Sequence, residues 1–199
     1  MIKLINTYPH FQIYSKGSIL LNDQIEQLLT QIIEQSDIEI TDIPKIDLYM
    51  DQVITLFDSN VGTSKRYPED KLLTKTMINN YTKDKILMPA KNKKYTPEHI
   101  AQMALIYHLK QSLQIGDIKN LFQATLHHKD VNVWAVYEQF LANKKVQLSN
   151  TNEQIKTQFA DDESKLNPKE QTLLTVLSLI QQANTYKRLA EKLIDQLDN

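Results

Sequence analysis

The scarcity of glycine, proline and cysteine is the feature that most limits how this chain can fold. Its 199 residues include three glycines, six prolines and no cysteine, while Leu, Ile, Lys and Gln abound. Few positions can therefore supply the sharply turned backbone that sandwiches and barrels need between their strands. The lack of cysteine excludes a disulfide framework, a thiol nucleophile and thiolate zinc sites. The sequence predicts an all-α protein.

The apolar pattern divides the chain into three predicted regions. Residues 1–43 form an N-terminal arm and an acidic helix, residues 44–128 form a central domain, and residues 129–199 form a C-terminal helical region. Asn22 is the expected N-cap of the first helix, which ends near Ser36. Residues 1–20 fit no single element. No segment approaches the roughly 20 apolar residues that a membrane helix needs, so we expect a cytoplasmic protein without membrane contact.

Caps and prolines mark the first half of the central domain. A helix is predicted from Leu48 to Phe57, followed by the loop DSNVGTSKRYPED. Thr74 is the expected N-cap of the next helix, which runs to about Lys85. Pro89 then precedes a polar, lysine-rich turn, AKNKK.

Two helices are predicted after this turn. Thr96 is the expected N-cap and Pro97 the first residue of a helix that extends to about Leu113. A corner at Gly116 and Asp117 leads into the next helix.

The C-terminal region is predicted to hold two helices. The first begins at Val133 and ends near Lys145, and the polar residues 147–167 are expected to be partly loop. The second starts at Pro168 and spans roughly 29 residues with apolar side chains three and four apart. Packing on the protein's own helices is the expected role of this stripe, and a homodimer is the alternative. The aromatic residues near the start of the region are expected in the core, with an effector pocket as the alternative: Trp134, Tyr137 and Phe140.

Charge is strongly segregated although the net charge is only -1. Residues 22–58 hold nine acidic residues and one lysine, and residues 71–95 hold seven lysines and one aspartate. The first segment repels a polyanion, whereas the second attracts phosphate. A lysine-rich solvated face is the alternative interpretation of the second segment.

The helix after Thr74 has one entirely polar face. A spacing of 100° per residue places its polar side chains opposite Met77, Ile78 and Tyr81. Asparagine matches the donor and acceptor edge of adenine, and lysine meets phosphates or guanine. The residues of this face are Lys75, Thr76, Asn79, Asn80 and Lys83.

The stretch MINNYTKDKILMPAKNKKYTPEHIAQM resembles the DNA-binding region of MerR-type regulators. In that family an isoleucine, an arginine and two tyrosines precede an end of the form GLL-P. A wing follows, and it ends with a tyrosine and an acidic cap segment. The later LKQSLQIGDIKNLF resembles the family's helix, corner and I-x-x-L continuation. Asn79 and Asn80 stand where the family usually has arginine and tyrosine. The matched positions are Ile78, Tyr81, Ile86, Leu87, Tyr95, Glu98 and Ile100.

IDLYMDQVITLF together with LTKTMINNYTKDKILMPAKNKKYTPEHIAQM is also similar to a bacterial domain-of-unknown-function family. The MerR resemblance implies a winged helix-turn-helix over residues 44–128, embedded between N-terminal and C-terminal helices. It implies transcription regulation with double-stranded DNA as the partner. The DNA-contacting residues predicted from the resemblance and the polar face are Lys75, Thr76, Asn79, Asn80, Tyr81, Lys83, Lys91, Lys93 and Lys94.

No catalytic site, metal site or cofactor is predicted. The five histidines include no pair spaced by four residues on one helix face, and the chain has no Gly-rich phosphate loop or nucleophile elbow. We therefore do not expect an enzyme. A second hypothesis is a helical protein-interaction module that has lost DNA binding, because the family's arginine and tyrosine are missing.

Overall fold

Helices dominate the computed structural model, which describes residues 25–126, 128, 130–160 and 166–197. Within these ranges the strands form a single two-stranded sheet, so the all-α class predicted from the sequence is confirmed. The Asn22 cap and residues 1–20 lie outside the described residues. The elements in chain order are α1 (residues 25–33), β1 (Leu48–Tyr49), α2 (Met50–Val61), α3 (Lys75–Lys83), β2 (Lys94–Tyr95), α4 (Pro97–Leu109), α5 (Ile115–Ala124), α6 (Val133–Ala160) and α7 (Pro168–Asp195).

The predicted helix between Leu48 and Phe57 has different bounds. Leu48 lies in β1, opposite Tyr95 of β2, because its backbone pairs with that strand instead of starting a helix. The helix continues past Phe57 to Val61, which is buried in the core. The segment DSNV is therefore the last turn of α2 and not part of the loop.

The corner between α4 and α5 was also predicted at the wrong place. α4 ends at Leu109, and the backbone N–H of Gln114 donates to the Asp117 carboxylate at 3.3 Å. This contact starts α5 at Ile115, so Gly116 and Asp117 lie in its first turn.

The expected break after Lys145 does not occur, and α6 continues to Ala160. Residues 146–160 are polar but contain no proline or glycine. Nothing in this segment interrupts helical hydrogen bonding, so polarity alone was a poor predictor of a loop. α7 begins at Pro168 as predicted.

The described chain divides into two units. The central unit comprises residues 35–145 and 186–197, and the second unit comprises residues 25–34, 146–160 and 166–185. Long helices α6 and α7 each contribute residues to both units.

α4 is the centre of the core of the central unit. Every residue from His99 to Tyr107 is buried, which fits a segment whose apolar residues lie on all sides of the helix. Side chains from each neighbouring helix join this core, namely Phe57 of α2, Ile78 of α3, Ile118 of α5 and Tyr137 of α6. Tyr137 is fully buried, as the interpretation of this residue as core predicted.

Partly buried hydrogen bonds and an ion pair hold residues 37 and 38 against α6 and α4. The Tyr137 hydroxyl donates to the Ile38 carbonyl at 2.7 Å. Lys144 Nζ lies 2.6 and 2.8 Å from the two carboxylate oxygens of Asp37, and His108 Nε2 lies 3.3 Å from one of them. Burial raises the pKa of Asp37, but the hydrogen bonds and charges of His108 and Lys144 outweigh it, so the net pKa is lowered.

We expect Asp37→Asn to lower the free energy of unfolding by about 1 to 3 kcal/mol at neutral pH, because Lys144 loses a charged partner in a partly buried site. A lowered pKa means that the Asp37 contribution is present above the ordinary value of 3.8 and is lost as the pH falls through the folded value. The difference between variant and parent in urea unfolding should therefore shrink in acid.

Asp58→Asn is the matched control, because the exposed Asp58 contacts Lys65 at 3.3 Å. Its effect should stay within about 0.5 kcal/mol. Equal losses from both variants would contradict a special role for Asp37.

Candidate nucleic-acid interface

α3 presents the polar face that its sequence predicts. Thr74 is its N-cap, and the Thr74 hydroxyl oxygen accepts the backbone N–H of Met77 at 3.1 Å. Ile78 is fully buried on the opposite side. The exposed residues of the helix are Lys75, Thr76, Asn79, Asn80 and Lys83.

Tyr81 does not belong to this face. Its side chain is 6% exposed and lies in the hydrophobic core, where burial raises the pKa of its hydroxyl. The periodicity of α3 puts Tyr81 beside Ile78, so its inclusion among the predicted DNA contacts conflicts with its position. We leave it out of the candidate interface.

A residue with a left-handed backbone conformation terminates α3, after which the chain turns toward the core. Lys85 has φ 60°, and its N–H donates to the Thr82 carbonyl at 3.1 Å. The N–H of Ile86 donates to the Tyr81 carbonyl at 2.8 Å, which completes a Schellman motif. Ile86 and Leu87 then enter the core, where both are buried.

The predicted lysine-rich turn is a tight hairpin, which we call the lysine turn (residues 90–94). Lys91 and Lys94 exchange two backbone hydrogen bonds of 2.9 Å each. The two residues between them, Asn92 and Lys93, have φ values of 52° and 63°. Positive φ at both central positions is the signature of a type I′ turn, in which glycine is usual at the second position.

The lysine turn is anchored to the start of α2 through the sheet. β2 follows the turn and pairs antiparallel with β1, with Tyr49 opposite Lys94 and Leu48 opposite Tyr95. Lys94 Nζ lies 5.0 Å from the centre of the Tyr49 ring, within reach of a cation–π interaction. Lys91 and Lys93 are exposed, whereas Lys94 is partly covered.

The beginning of α3 meets the same junction. Lys75 Nζ lies 2.7 Å from a carboxylate oxygen of Asp51, in the first turn of α2. Lys75 and Lys94 therefore contact residues only two positions apart, Asp51 and Tyr49. One ammonium group of α3 and one of the lysine turn thus both contact the β1–α2 junction. Asn80 borders a groove toward Gln114 and Ile115 at the start of α5.

His99 is a positioning residue that the sequence reasoning missed. Its Nδ1 accepts the backbone N–H of Thr96 at 3.1 Å, and its Nε2–H donates to the Pro89 carbonyl at 3.2 Å. The ring thereby connects the first turn of α4 to the residue that precedes the lysine turn. The sequence showed only a histidine in the first turn of a helix, and nothing in that pattern reveals a contact with Pro89.

The described residues show neither a metal site nor a membrane span. No group of three or more of their His, Asp or Glu side chains is placed to hold a metal ion. None of the helices in these ranges is long and apolar enough to cross a bilayer.

The central unit is thus a helical domain with a two-stranded sheet that holds a basic turn beside a polar helix. Residues 38–140 match the family described as "Domain of unknown function (DUF1836)", and the chain belongs to this family. The match begins at Ile38 and ends within α6, so the contact between Ile38 and Tyr137 joins its two ends. Comparisons with curated proteins and with solved structures give no significant match.

We expect Lys93→Gly to raise the free energy of unfolding by about 1 kcal/mol, because glycine adopts φ 63° without the penalty of a side chain. Urea unfolding of the full chain measures this. Lys83→Gly is the matched control at a helical position, and it should lower stability by about 1 kcal/mol. A loss of stability in Lys93→Gly would contradict the type I′ assignment.

Proposed function

We propose that this protein is a DNA-binding transcription regulator in which α3 enters the major groove and the lysine turn contacts the adjacent phosphates. The observation that carries the proposal is that Lys75 and Lys94, from two separate elements, both contact the β1–α2 junction. It supports a single basic surface built from two separate elements. Helix-turn-helix proteins use a second helix in this way, with flanking groups on the DNA backbone.

The backbone at Lys85 supports the resemblance to MerR-type regulators. The GLL-P end of that family falls on Lys85, Ile86, Leu87 and Pro89 of this chain. The family's glycine thus corresponds to Lys85, where φ is 60° and a residue without a side chain is favoured. The two leucines correspond to buried residues. The order of helix, helix, basic turn and helix also agrees with a winged helix-turn-helix over residues 44–128.

Side-chain chemistry gives the exposed residues of α3 different roles. Asn79 and Asn80 each carry a donor and an acceptor and are suited to adenine edges. Lys83 is free to reach a phosphate or a guanine, and Thr76 can donate to a phosphate. Lys75 must first leave Asp51, but this ion pair is exposed on both sides and therefore weak.

The same ion pair favours a second candidate, a protein-interaction module that no longer binds DNA. Asp51 partly neutralises the basic surface, and the acidic α2 would stand close to the phosphates. Asn79 and Asn80 also replace the arginine and tyrosine that the MerR-type family uses. In this candidate the exposed acidic residues of residues 22–58 or the apolar stripe of α7 would bind another protein.

Salt dependence of binding separates the two candidates. We expect the full chain to bind duplex DNA fragments more weakly as salt rises from about 50 to 200 mM, with the affinity measured by fluorescence anisotropy. Lys93→Gly should reduce the slope of log affinity against log salt concentration by about 0.9 if Lys93 neutralises one phosphate. The same reduction is expected on every DNA sequence. Asn79→Ala should instead weaken only preferred sites, by about 1 to 3 kcal/mol.

Lys145→Ala is the control for charge, because Lys145 lies on α6 and pairs with Glu39 at 2.9 Å. It should leave the slope unchanged. The absence of binding at low salt would overturn the regulator proposal in favour of the interaction module. Equal reductions of the salt slope by Lys145→Ala and Lys93→Gly would contradict a phosphate contact by the lysine turn.

We further propose that the regulator is a homodimer formed through α7. Among the described residues of the second unit, Leu29 and Gln171 are the only buried ones, so the described part of this unit has no core of its own. Residues 171–186 of α7 carry no charge, although most of their side chains are exposed. The exposed apolar residues there include Leu173, Val176, Leu177 and Ile180, which fall on one stripe. An uncharged apolar stripe is complementary to itself, which favours a second copy.

Light scattering should therefore give the mass of a dimer at micromolar concentration. Ile180→Glu should yield a folded monomer, because two carboxylates would face each other in an apolar seam. Thr185→Glu is the control, since Thr185 lies about 140° around the helix from Ile180. A parent protein that is monomeric would refute the dimer.

A further inference from the structure

A cleft of about 900 Å³ lies beside the end of α3 in the central unit, apart from the polar face proposed for DNA. Leu87, Met88 and Pro89, which connect α3 to the lysine turn, line it together with Val133, the first residue of α6. Pockets for small organic ligands measure about 300 to 1,000 Å³ and are mostly apolar. The size and the lining therefore suit a small molecule.

One residue of the cleft lining carries a buried hydrogen-bond acceptor without a partner. Gln102 of α4 is 2% exposed, and its Nε2–H donates to the Ile86 carbonyl at 2.8 Å. This bond uses the nitrogen of the side-chain amide. The oxygen, Oε1, accepts no hydrogen bond within the described part of the chain. A buried polar atom left unsatisfied is unfavourable, so a ligand donor that reaches Oε1 would satisfy an acceptor that the protein leaves unpaired.

The charged groups at the cleft also favour a donor. Glu98 and Asp130 contribute two carboxylates, against the single ammonium of Lys85 among the described lining residues. The Thr96 hydroxyl and the backbone N–H of Glu98 lower the pKa of the Glu98 carboxyl. The side-chain oxygen of Asn132 is occupied as a cap, because it accepts the N–H of Ala135 at 3.2 Å. The Nδ2 of Asn132 and the His128 ring are further polar groups of the lining. Carboxylates therefore outnumber ammonium groups among the described lining residues, which favours a cationic ligand.

We propose that this cleft binds a small amine with an apolar body, which packs on Leu87, Met88 and Val133 while its ammonium group faces Glu98 and Gln102 Oε1. Anionic and neutral molecules of the same shape bind less well, because they bring no charged donor to these acceptors. The proposal does not rest on DNA binding, since the cleft and the polar face of α3 are different surfaces.

Three indoles with the same two-carbon linker test the ligand class on the full chain. Tryptamine, tryptophol and indole-3-propionate share one ring and one chain length and differ in the charge of the end group. In nuclear magnetic resonance titrations, tryptamine should shift the Gln102 side-chain amide and the Leu87 and Val133 backbone signals to saturation. Indole-3-propionate should bind at least about tenfold more weakly. No saturable shift with tryptamine, or equal affinity for all three molecules, would overturn the proposal.

Two variants locate the site. Glu98→Gln should weaken tryptamine about tenfold, whereas Glu138→Gln, which changes an exposed carboxylate of α6 outside the cleft, should have no effect. Met88 is 41% exposed, so Met88→Trp should fill the cleft without disturbing the core and should abolish binding. Full binding by Met88→Trp, or equal weakening by the two glutamine variants, would contradict a site at this cleft.

Discussion

The antiparallel pairing of β1 with β2 is the constraint on which the candidate interface depends. Each strand has only two residues, yet the register sets Tyr49 opposite Lys94 and buries Leu48 opposite Tyr95. Because β1 leads directly into α2 and β2 directly follows the lysine turn, this pairing holds the turn at the beginning of α2. The ion pair between Asp51 and Lys75 then brings the start of α3 to the same place. The sheet thus adds a contact at the β1–α2 junction to the hydrogen bond between His99 and Pro89, which holds the residue before the turn.

Two turn positions carry lysine although their backbone conformation favours glycine. Lys85 and Lys93 both have positive φ, where glycine is normally preferred. Each position gives up some stability but gains an ammonium group beside the polar face of α3 or the cleft. On a functional surface, a chain is expected to keep a needed chemical group even where that group lowers the local stability.

Elements that rest on local signals could be predicted from the sequence. Thr74, Thr96 with Pro97, and Pro168 all mark helix starts that the structure confirms. Long-range contacts could not be predicted, because no local pattern encodes them. These contacts are the pairing of Leu48 with β2, the ion pair of Asp37 with Lys144 and the hydrogen bond of His99 with Pro89. The polar face of α3 and the burial of Tyr81 on its opposite side followed from the helical period, but the position of Asn80 toward α5 needed tertiary structure. The cleft beside Gln102 had no signal in the sequence.

The central claim is that α3 and the lysine turn contact one duplex together. The most direct test is a titration of the isotope-labelled full chain with a duplex of about 20 base pairs, or two helical turns. The account predicts that the side-chain amides of Asn79 and Asn80 and the backbone signals of Asn92 and Lys93 shift together, with one apparent affinity. Shifts at the lysine turn while both asparagine amides stay unchanged would contradict it.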